Sequence, residues 1–352
     1  MTDPPDALPP AHRRRSRYRG THPRRFEEKY KELASEQYPE IVAHLRERGH
    51  TPAGQHVPVL VDAVLAALAV HPGERGVDAT LGWGGHAQRL LERLSPGGQL
   101  LALDADPIEL PRTEARLRRL GYTEMSLLVR RSNFAGLRAA IDDAGWGDGV
   151  DFVFADLGVS SMQIDDPARG FSFKGDGPLD MRMNPSRGLS AARWLERVSD
   201  RALVRALTDS DEPHAVAIAT ALSARRGAIA TTTALADAVR GALAPRISDK
   251  DRELAVRRTF QALRIEVNDE LGALDALLRA LPGCLRAGGR VAVLTFHSGE
   301  DRRVKKAFAD GATRGHYTAV SEEVIRASPE ERRTNPRATA AKLRWAVTAI
   351  TG

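Results

Sequence analysis

A single cysteine, Cys284, stands in the 352 residues, which excludes an internal disulfide and any cysteine-built zinc site and fits a reducing cytoplasm. Cys284 itself reads as a small apolar residue ahead of a strand, not as a nucleophile. No apolar run approaches the length of a bilayer span, and the basic N-terminus lacks the apolar core of a secretory leader. His297 has Ser298, Glu300 and Asp301 beside it but no second histidine at ligand spacing, so no metal is expected there. No internal repeat is found. The expectation is a soluble, cytoplasmic, metal-free protein of ordinary composition, 42% hydrophobic and 28% charged. Its oligomeric state is not legible.

The length accommodates one large domain with an insertion, or two domains. A formal charge of +6 points toward a polyanionic partner, though weakly. Residues 1–25 are proline-rich and carry seven arginines (Arg13, Arg14, Arg15, Arg17, Arg19, Arg24 and Arg25), with Tyr18 and His22 among them. Such a segment cannot build a core and reads as an arm, either tracking phosphates or simply solubilising the chain. Residues 26–49 carry a helical pattern ended by Gly49 and Thr51–Gly54.

From His56 the pattern is regular. A helix over 57–70 is followed by strands near 76–79, 99–104, 126–130 and 150–156, with helices over 107–120 and 135–144 between them. Strands alternating with helices at this spacing predict a doubly wound, mostly parallel α/β sheet. The alternation stops after Gly158. A polar loop, 165–188, leads into helices over 191–198, 200–208, 213–225, 233–242 and 252–262, an α-helical insertion. A helix over 269–281 closed by Pro282-Gly283, a strand 290–298, a helix 302–309 and a last strand 343–350 resume the sheet domain, with 317–320 as a further strand. The division expected is an extension (1–55), a sheet domain (56–164 and 266–352) and the insertion (165–265).

The most informative stretch is Val77-Asp78-Ala79-Thr80-Leu81-Gly82-Trp83-Gly84-Gly85-His86, followed by Leu100-Leu-Ala-Leu-Asp104-Ala-Asp106. A strand enters a glycine turn that opens a helix, and a second strand ends in a carboxylate about twenty residues later, as in nucleotide-binding βαβ units. Glycines let the backbone approach a ligand, and Asp104 can accept from both ribose hydroxyls. An adenosine-containing cofactor follows. Gly82-x-Gly84-x-x-Ala87 satisfies the dinucleotide fingerprint as well, so the turn alone permits NAD or S-adenosylmethionine. The doubled glycine and Asp156-Leu157-Gly158-Val159-Ser160-Ser161 at the end of the fourth strand tilt toward the second. For Asp78 a helix-capping or turn role is the competing reading.

With these residues assembled, the chain resembles the bacterial small-subunit rRNA N4-cytosine methyltransferases, the RsmH (MraW) family. The resemblance runs from His56-Val-Pro-Val-Leu60 to the C-terminus. It is carried by Asp156–Ser161, Arg169-Gly-Phe-Ser-Phe173, Pro178-Leu-Asp-Met-Arg-Met183 and Arg258-Thr-Phe-Gln-Ala-Leu-Arg-Ile265. Phe296-His-Ser298 with Glu300-Asp-Arg302, and Asn335-Pro-Arg337 with Lys342-Leu-Arg344, complete it. It implies a class I methyltransferase with an inserted helical domain, acting on a decoding-region cytosine of 16S rRNA in the small ribosomal subunit. It also implies that Gly84, Gly85 and His86 line the methionine and ribose side of S-adenosylmethionine. Asp104 would hold the ribose hydroxyls, Phe134 would lie against the adenine, and Asp156 and Gln163 would complete the pocket. Three features depart from the family pattern: Asp211-Glu212-Pro213-His214 in place of Gly-Glu-Glu-Arg, Gly299 in place of leucine, and the longer basic extension.

Cytosine N4 is a poor nucleophile because its lone pair is delocalised into the ring. It must be held in line with the methyl group, its N–H bonds turned onto acceptors; such positioning supplies up to roughly 7–11 kcal/mol. The catalytic candidates are Asp156, the Leu157–Val159 carbonyls and the Ser160 hydroxyl. A flipped base needs new stacking partners. Phe171 and Phe173 are candidates, with burial in a core as the competing reading. Arg258, Arg264, Arg302, Arg303, Lys305 and Lys306 are candidate phosphate contacts, and His297 is a candidate brace or RNA contact; a solvated helix face is the competing reading for each cation.

Overall fold

In the computed structural model residues 58–349 are described. The arginine-rich arm, the helix expected over 26–49, His56 and Ile350 lie outside the described residues. The chain forms a seven-stranded sheet in the order β3-β2-β1-β4-β5-β7-β6. The strands are β1 (Arg75–Asp78), β2 (Gln99–Asp104), β3 (Leu127–Arg131), β4 (Val150–Asp156), β5 (Leu285–Thr295), β6 (Tyr317–Val320) and β7 (Lys342–Thr348). Strands β1 to β5 pair in parallel, while β7 runs antiparallel to both β5 and β6.

Alternating side chains of each strand feed two separate cores, because successive residues of a strand point to opposite faces. On one face Val77, Leu101, Leu103, Val153 and Ala155 meet α4 (Leu137–Asp143) and α11 (Glu270–Cys284) through Leu137, Ile141, Leu277 and Leu281. On the other, Leu100, Ala102, Phe152 and Phe154 meet α1 (Val61–Leu68) and α2 (Gly85–Leu94) through Val64, Leu68, Leu90 and Leu91. Both faces are covered, which is why β4 tolerates almost no polar residue. Helix α3 (Glu109–Arg119) follows β2.

Between β4 and α11 lie α5 (Ser161–Asp165), α6 (Ala191–Arg197), α7 (Asp200–Asp209), α8 (Ala215–Ser223), α9 (Thr232–Ala242) and α10 (Asp249–Asn268). This stretch buries a third core of its own, with Leu195, Leu203, Leu207, Ile218, Leu235, Val239, Val256 and Leu263 at its centre. Ser190, Ser199, Thr231 and Ser248 each cap the helix that follows by accepting a backbone N–H.

Two boundaries differ from the sequence expectation for identifiable reasons. Pro282-Gly283 does not follow α11 but sits in its last turn, because the chain passes without a loop into β5, which begins at Leu285 and not near Arg290. Phe296 to Ser298 do not extend that strand. His297 caps α12 (Ser298–Thr313) in a reciprocal box with Glu300, so the helix starts four residues earlier than hydropathy suggests. Among the described residues no helix is long and apolar enough to cross a membrane.

Strand β1 is pinned by its neighbour. A Cβ on Gly76 would lie 2.0 Å from the Phe152 ring, which is fully buried. Gly76→Ala is therefore expected to destabilise the sheet by about 1–3 kcal/mol or more through overpacking; urea unfolding of the two proteins measures it.

Candidate active site

The site is built at the carboxyl edge of the parallel strands, where the order reverses between β1 and β4. Asp78 ends β1, Asp104 ends β2 and Asp156 ends β4. Each backbone there is fixed by a side chain. Asp78 Oδ1 accepts the Thr80 N–H (3.0 Å), and Thr80 Oγ1 accepts the Asp156 N–H (2.6 Å). Asp104 accepts from Gly82 N–H (2.7 Å) and Asp106 N–H (2.9 Å), which orients its carboxylate toward the turn.

The turn between β1 and α2 depends on Gly84, whose φ is +77° and whose added Cβ would sit 3.0 Å from both Arg116 and Thr113. Those two residues of α3 hold the turn: Thr113 Oγ1 donates to the Gly82 carbonyl (2.6 Å) and Arg116 Nη2 to the Trp83 carbonyl (2.5 Å). No side chain caps α2, so its first-turn N–H groups, beginning at Gly85, lack a capping side-chain acceptor.

His86 is buried against Phe154, ring centroids 4.6 Å apart. Its Nε2 lies 2.9 Å from the Val59 carbonyl, a group that only accepts, so Nε2 carries the proton and Nδ1 presents a lone pair. Burial pushes the imidazole down to about pH 4, which keeps it neutral. Nδ1 lies 3.5 Å from Asp156 Oδ2. The other oxygen, Asp156 Oδ1, is buried with no hydrogen-bond partner. Burial, with Asp78 and Glu300 nearby, pushes Asp156 up to about 8. Burial likewise raises Asp78 to about 7, with Asp104 adding to it, and Asp104 to about 6, with Asp106 adding to it. Three carboxylates at one edge are thus short of positive charge.

Gln163 and Ser160 act on the loop after β4. They form the capping box of α5, Ser160 Oγ accepting from Gln163 N–H and Gln163 Oε1 accepting from Ser160 N–H. Gln163 Nε2 also donates to Asp106 (2.7 Å), tying this loop to the one after β2. Phe134 is half-buried in a short 3₁₀ turn after β3, and the Ser132 N–H bonds the Asp104 carbonyl (3.0 Å). The glycines, His86, Asp104, Phe134, Asp156, Ser160 and Gln163 thus belong to one edge.

Other candidates fall elsewhere. Phe171 is buried in the helical core, and Phe173 meets Phe260 at 5.2 Å, so the core reading holds for both rings. Arg264 gives Glu270 two hydrogen bonds of 2.8 Å and is committed to that pair. Arg258 faces buried Glu212, at 4.0 Å, and Arg303 pairs with Asp275. Arg302 and Lys305 are exposed on α12, and Lys306 pairs with Asp310. His297 lies 3.1 Å from Glu300 within the α12 cap, a bracing position. Among the described residues no group of His, Cys, Asp or Glu could hold a metal ion.

Several participants carried no local signal. Thr113 and Arg116 reach the turn from the next helix. Arg169 binds Asp106 at 2.8 Å with both side chains buried. The aromatic beside the Asp156–Ser160 loop is Phe296, 4.0 Å from where a Gly158 Cβ would sit.

Comparison with known proteins adds the following. Residues 53–349 match the family model described as the MraW methylase family. The chain is 48% identical over 354 residues to ribosomal RNA small subunit methyltransferase H 1 of Lachnoclostridium phytofermentans, covering 98% of this chain and 96% of that one. It is 48% identical over 343 residues to ribosomal RNA small subunit methyltransferase H 2 of Alkaliphilus metalliredigens, covering 96% and 97%. Against ribosomal RNA small subunit methyltransferase H of Acidobacterium capsulatum the identity is 40%, covering 98% of that protein but 83% of this one.

The raised carboxylates set a pH dependence. An acid whose folded pKa lies above its unfolded value of 3.8 adds stability at low pH that is lost as pH rises through the folded value. The ligand-free protein is expected to lose stability as pH rises from about 6.5, above which unfolded His86 no longer offsets the loss, to about 8, where folded Asp156 is itself ionised, and Asp156→Asn to flatten that loss. Thermal unfolding across the range checks both; an unchanged slope in the variant contradicts the assignment.

Proposed function

The chain belongs to the MraW methylase family, and from that premise we propose that it transfers the methyl group of S-adenosylmethionine to N4 of a decoding-region cytosine of 16S rRNA, number 1402 in the family's usage. The observation that carries this reading is the row Asp78, Asp104 and Asp156, three carboxylates raised by burial at one edge. A dinucleotide would bring a pyrophosphate, and with it more negative charge, onto that row. A cofactor bearing a sulfonium and an ammonium brings the charge the row lacks.

The residues present fit that cofactor. Asp104, held at the turn by the Gly82 and Asp106 N–H groups, would accept the ribose hydroxyls, the uncapped start of α2 would offer N–H groups to a carboxylate, and Phe134 would offer a face to adenine. When bound, S-adenosylmethionine supplies a methyl group already activated by its positive sulfur, so no metal is required. The protein then supplies position and a proton acceptor. Carbonyls of Leu157–Val159 and the Asp156 carboxylate accept the N4 N–H bonds and turn the lone pair to the methyl. Gly158, at φ +101°, gives this loop its bend, and Phe296 beside it replaces a stacking neighbour of the flipped base. Asp156 takes the proton lost from N4; a nearby positive charge returns it to the ionised form that can do so.

The substrate partner is the small ribosomal subunit or its rRNA, which places the protein in the cytoplasm. Residues 1–55 act as an extension, 56–164 with 266–352 as the methyl-transfer domain and 165–265 as an insertion that faces RNA. Arg302 and Lys305 on α12, with Arg258, contribute cations to that face. The longer alignment with the Lachnoclostridium protein than with the Acidobacterium one fits a branch that carries the extension.

Labelled methyl transfer to small-subunit rRNA is expected from the wild type and to fall by at least about 100-fold in Asp156→Ala. Transfer at the normal rate in that variant refutes the role given to Asp156. Absence of transfer to any cytosine N4 by the wild type refutes the function.

A further inference from the structure

The Asp156–Ser160 loop must hold an amine to a fraction of an ångström, yet it lies between the end of β4 and the start of α5. Two of its fastenings lead away from the sheet, and both lead to the same place. That place is the crossing between β6 and β7, which contains α13 (Pro329–Thr334) and a 3₁₀ turn over Pro336–Ala340.

On one side, Arg337 of that turn reaches Ser161, where its Nη1 donates to Oγ, and its Nη2 lies 3.9 Å from Asp165 Oδ2. Ser161 follows the capping Ser160, so Arg337 holds the loop where it enters α5. On the other side, Glu331 Oε1 accepts the Leu60 N–H at 2.7 Å. Leu60 is buried with φ at +54°, a left-handed conformation that costs an L-residue energy and persists only when held. The preceding carbonyl, Val59 O, receives the His86 Nε2 proton and so fixes which ring nitrogen faces Asp156. The crossing is itself anchored: Ala338 and Ala341 share a buried cluster with Val59 and Leu60, and Ile325 pairs with Leu343.

We infer that Glu331 and Arg337 are positioning residues of one clasp, Glu331 acting on Asp156 through Leu60, Val59 and His86, and Arg337 acting on the loop through Ser161. Val59 and Leu60 of the first sequence word and Arg337 of the last thereby gain a task. The clasp spans the chain from one end of the described residues almost to the other. Neither residue touches a reacting atom in this arrangement; each sets where Asp156 and its loop stand.

The activity readout rests on the proposed function, so a second readout is independent of it. Full-length Glu331→Ala and Arg337→Met are expected to lower kcat by about 10- to 100-fold, with KM for the small subunit changed less than about two-fold, as misplacement at the reacting centre requires. Glu331→Gln retains the accepting oxygen and is expected to keep most of the rate. In protein carrying ¹⁵N-histidine, the His86 ring signals, assigned by their loss in His86→Gln, should move in Glu331→Ala and stay in Arg337→Met. Wild-type kcat in both variants, or unmoved His86 signals in Glu331→Ala, overturns the clasp. So does Glu331→Gln falling as far as Glu331→Ala, because the accepted Leu60 N–H would then not be what the side chain supplies. If the wild type transfers no methyl, the function fails and the His86 signals still decide the clasp.

Discussion

Carboxylates gathered where water is scarce are the constraint on which this structure turns. A carboxylate buried without a donor or a cation prefers its proton, and Asp156 has one oxygen with no partner at all. Three carboxylates stand at the carboxyl ends of adjacent strands, none paired with a cation among the described residues; Asp78 and Asp104 accept backbone N–H groups, and Asp156 leaves one oxygen bare. Asp78 and Thr80 fix one strand end to another, Asp104 fixes the glycine turn, and Asp156 leans on a neutral histidine. An edge so arranged is uncomfortable when empty of positive charge and comfortable with it. The discomfort is the specificity: it favours a cationic methyl donor over an anionic dinucleotide on a turn that accommodates either.

The rest of the fold serves to keep that edge rigid. Both faces of the sheet are packed, so the strand ends cannot slide. Thr113 and Arg116 of α3 reach back to the turn, and Gln163 with Arg169 ties the loop after β4 to Asp106 after β2. Arg169 also donates to the carbonyls of Arg182 and Met183, and Asn268 of α10 holds Met181 and Met183 from the far side. The loop after β2 and the inserted helices are therefore joined through buried polar contacts and not only by chain connectivity.

Much of this was legible in the residues, for reasons that differ by element. Strands β2 and β4 are short apolar runs ended by a carboxylate, and they stand where the pattern puts them. The glycine turn was legible because positive φ and close approach leave few alternatives. The start of α12 was not, because histidine is an uncommon cap and hydropathy carried β5 through Phe296 to Ser298. Phe171, Phe173 and Arg264 show the limit in another way: an aromatic or an arginine in a polar stretch carries no sign of whether it faces solvent or a partner. Glu270, six residues past Arg264, decides that question only once α10 turns into α11. The tie from Glu331 to Leu60 spans 271 residues, and no local pattern announces such a contact.

An edge built for positive charge should exchange protons when a cation arrives, which calorimetry in buffers of different ionisation enthalpy measures. S-adenosylmethionine is predicted to bind near pH 7.5 and release protons to the buffer as the buried carboxylates ionise. S-adenosylhomocysteine, whose sulfur is neutral, should bind with a smaller release, and NAD should not bind. Binding of NAD in place of S-adenosylmethionine, or proton release equal for the sulfonium and the neutral thioether, would mean that the carboxylates at this edge do not select a cationic ligand.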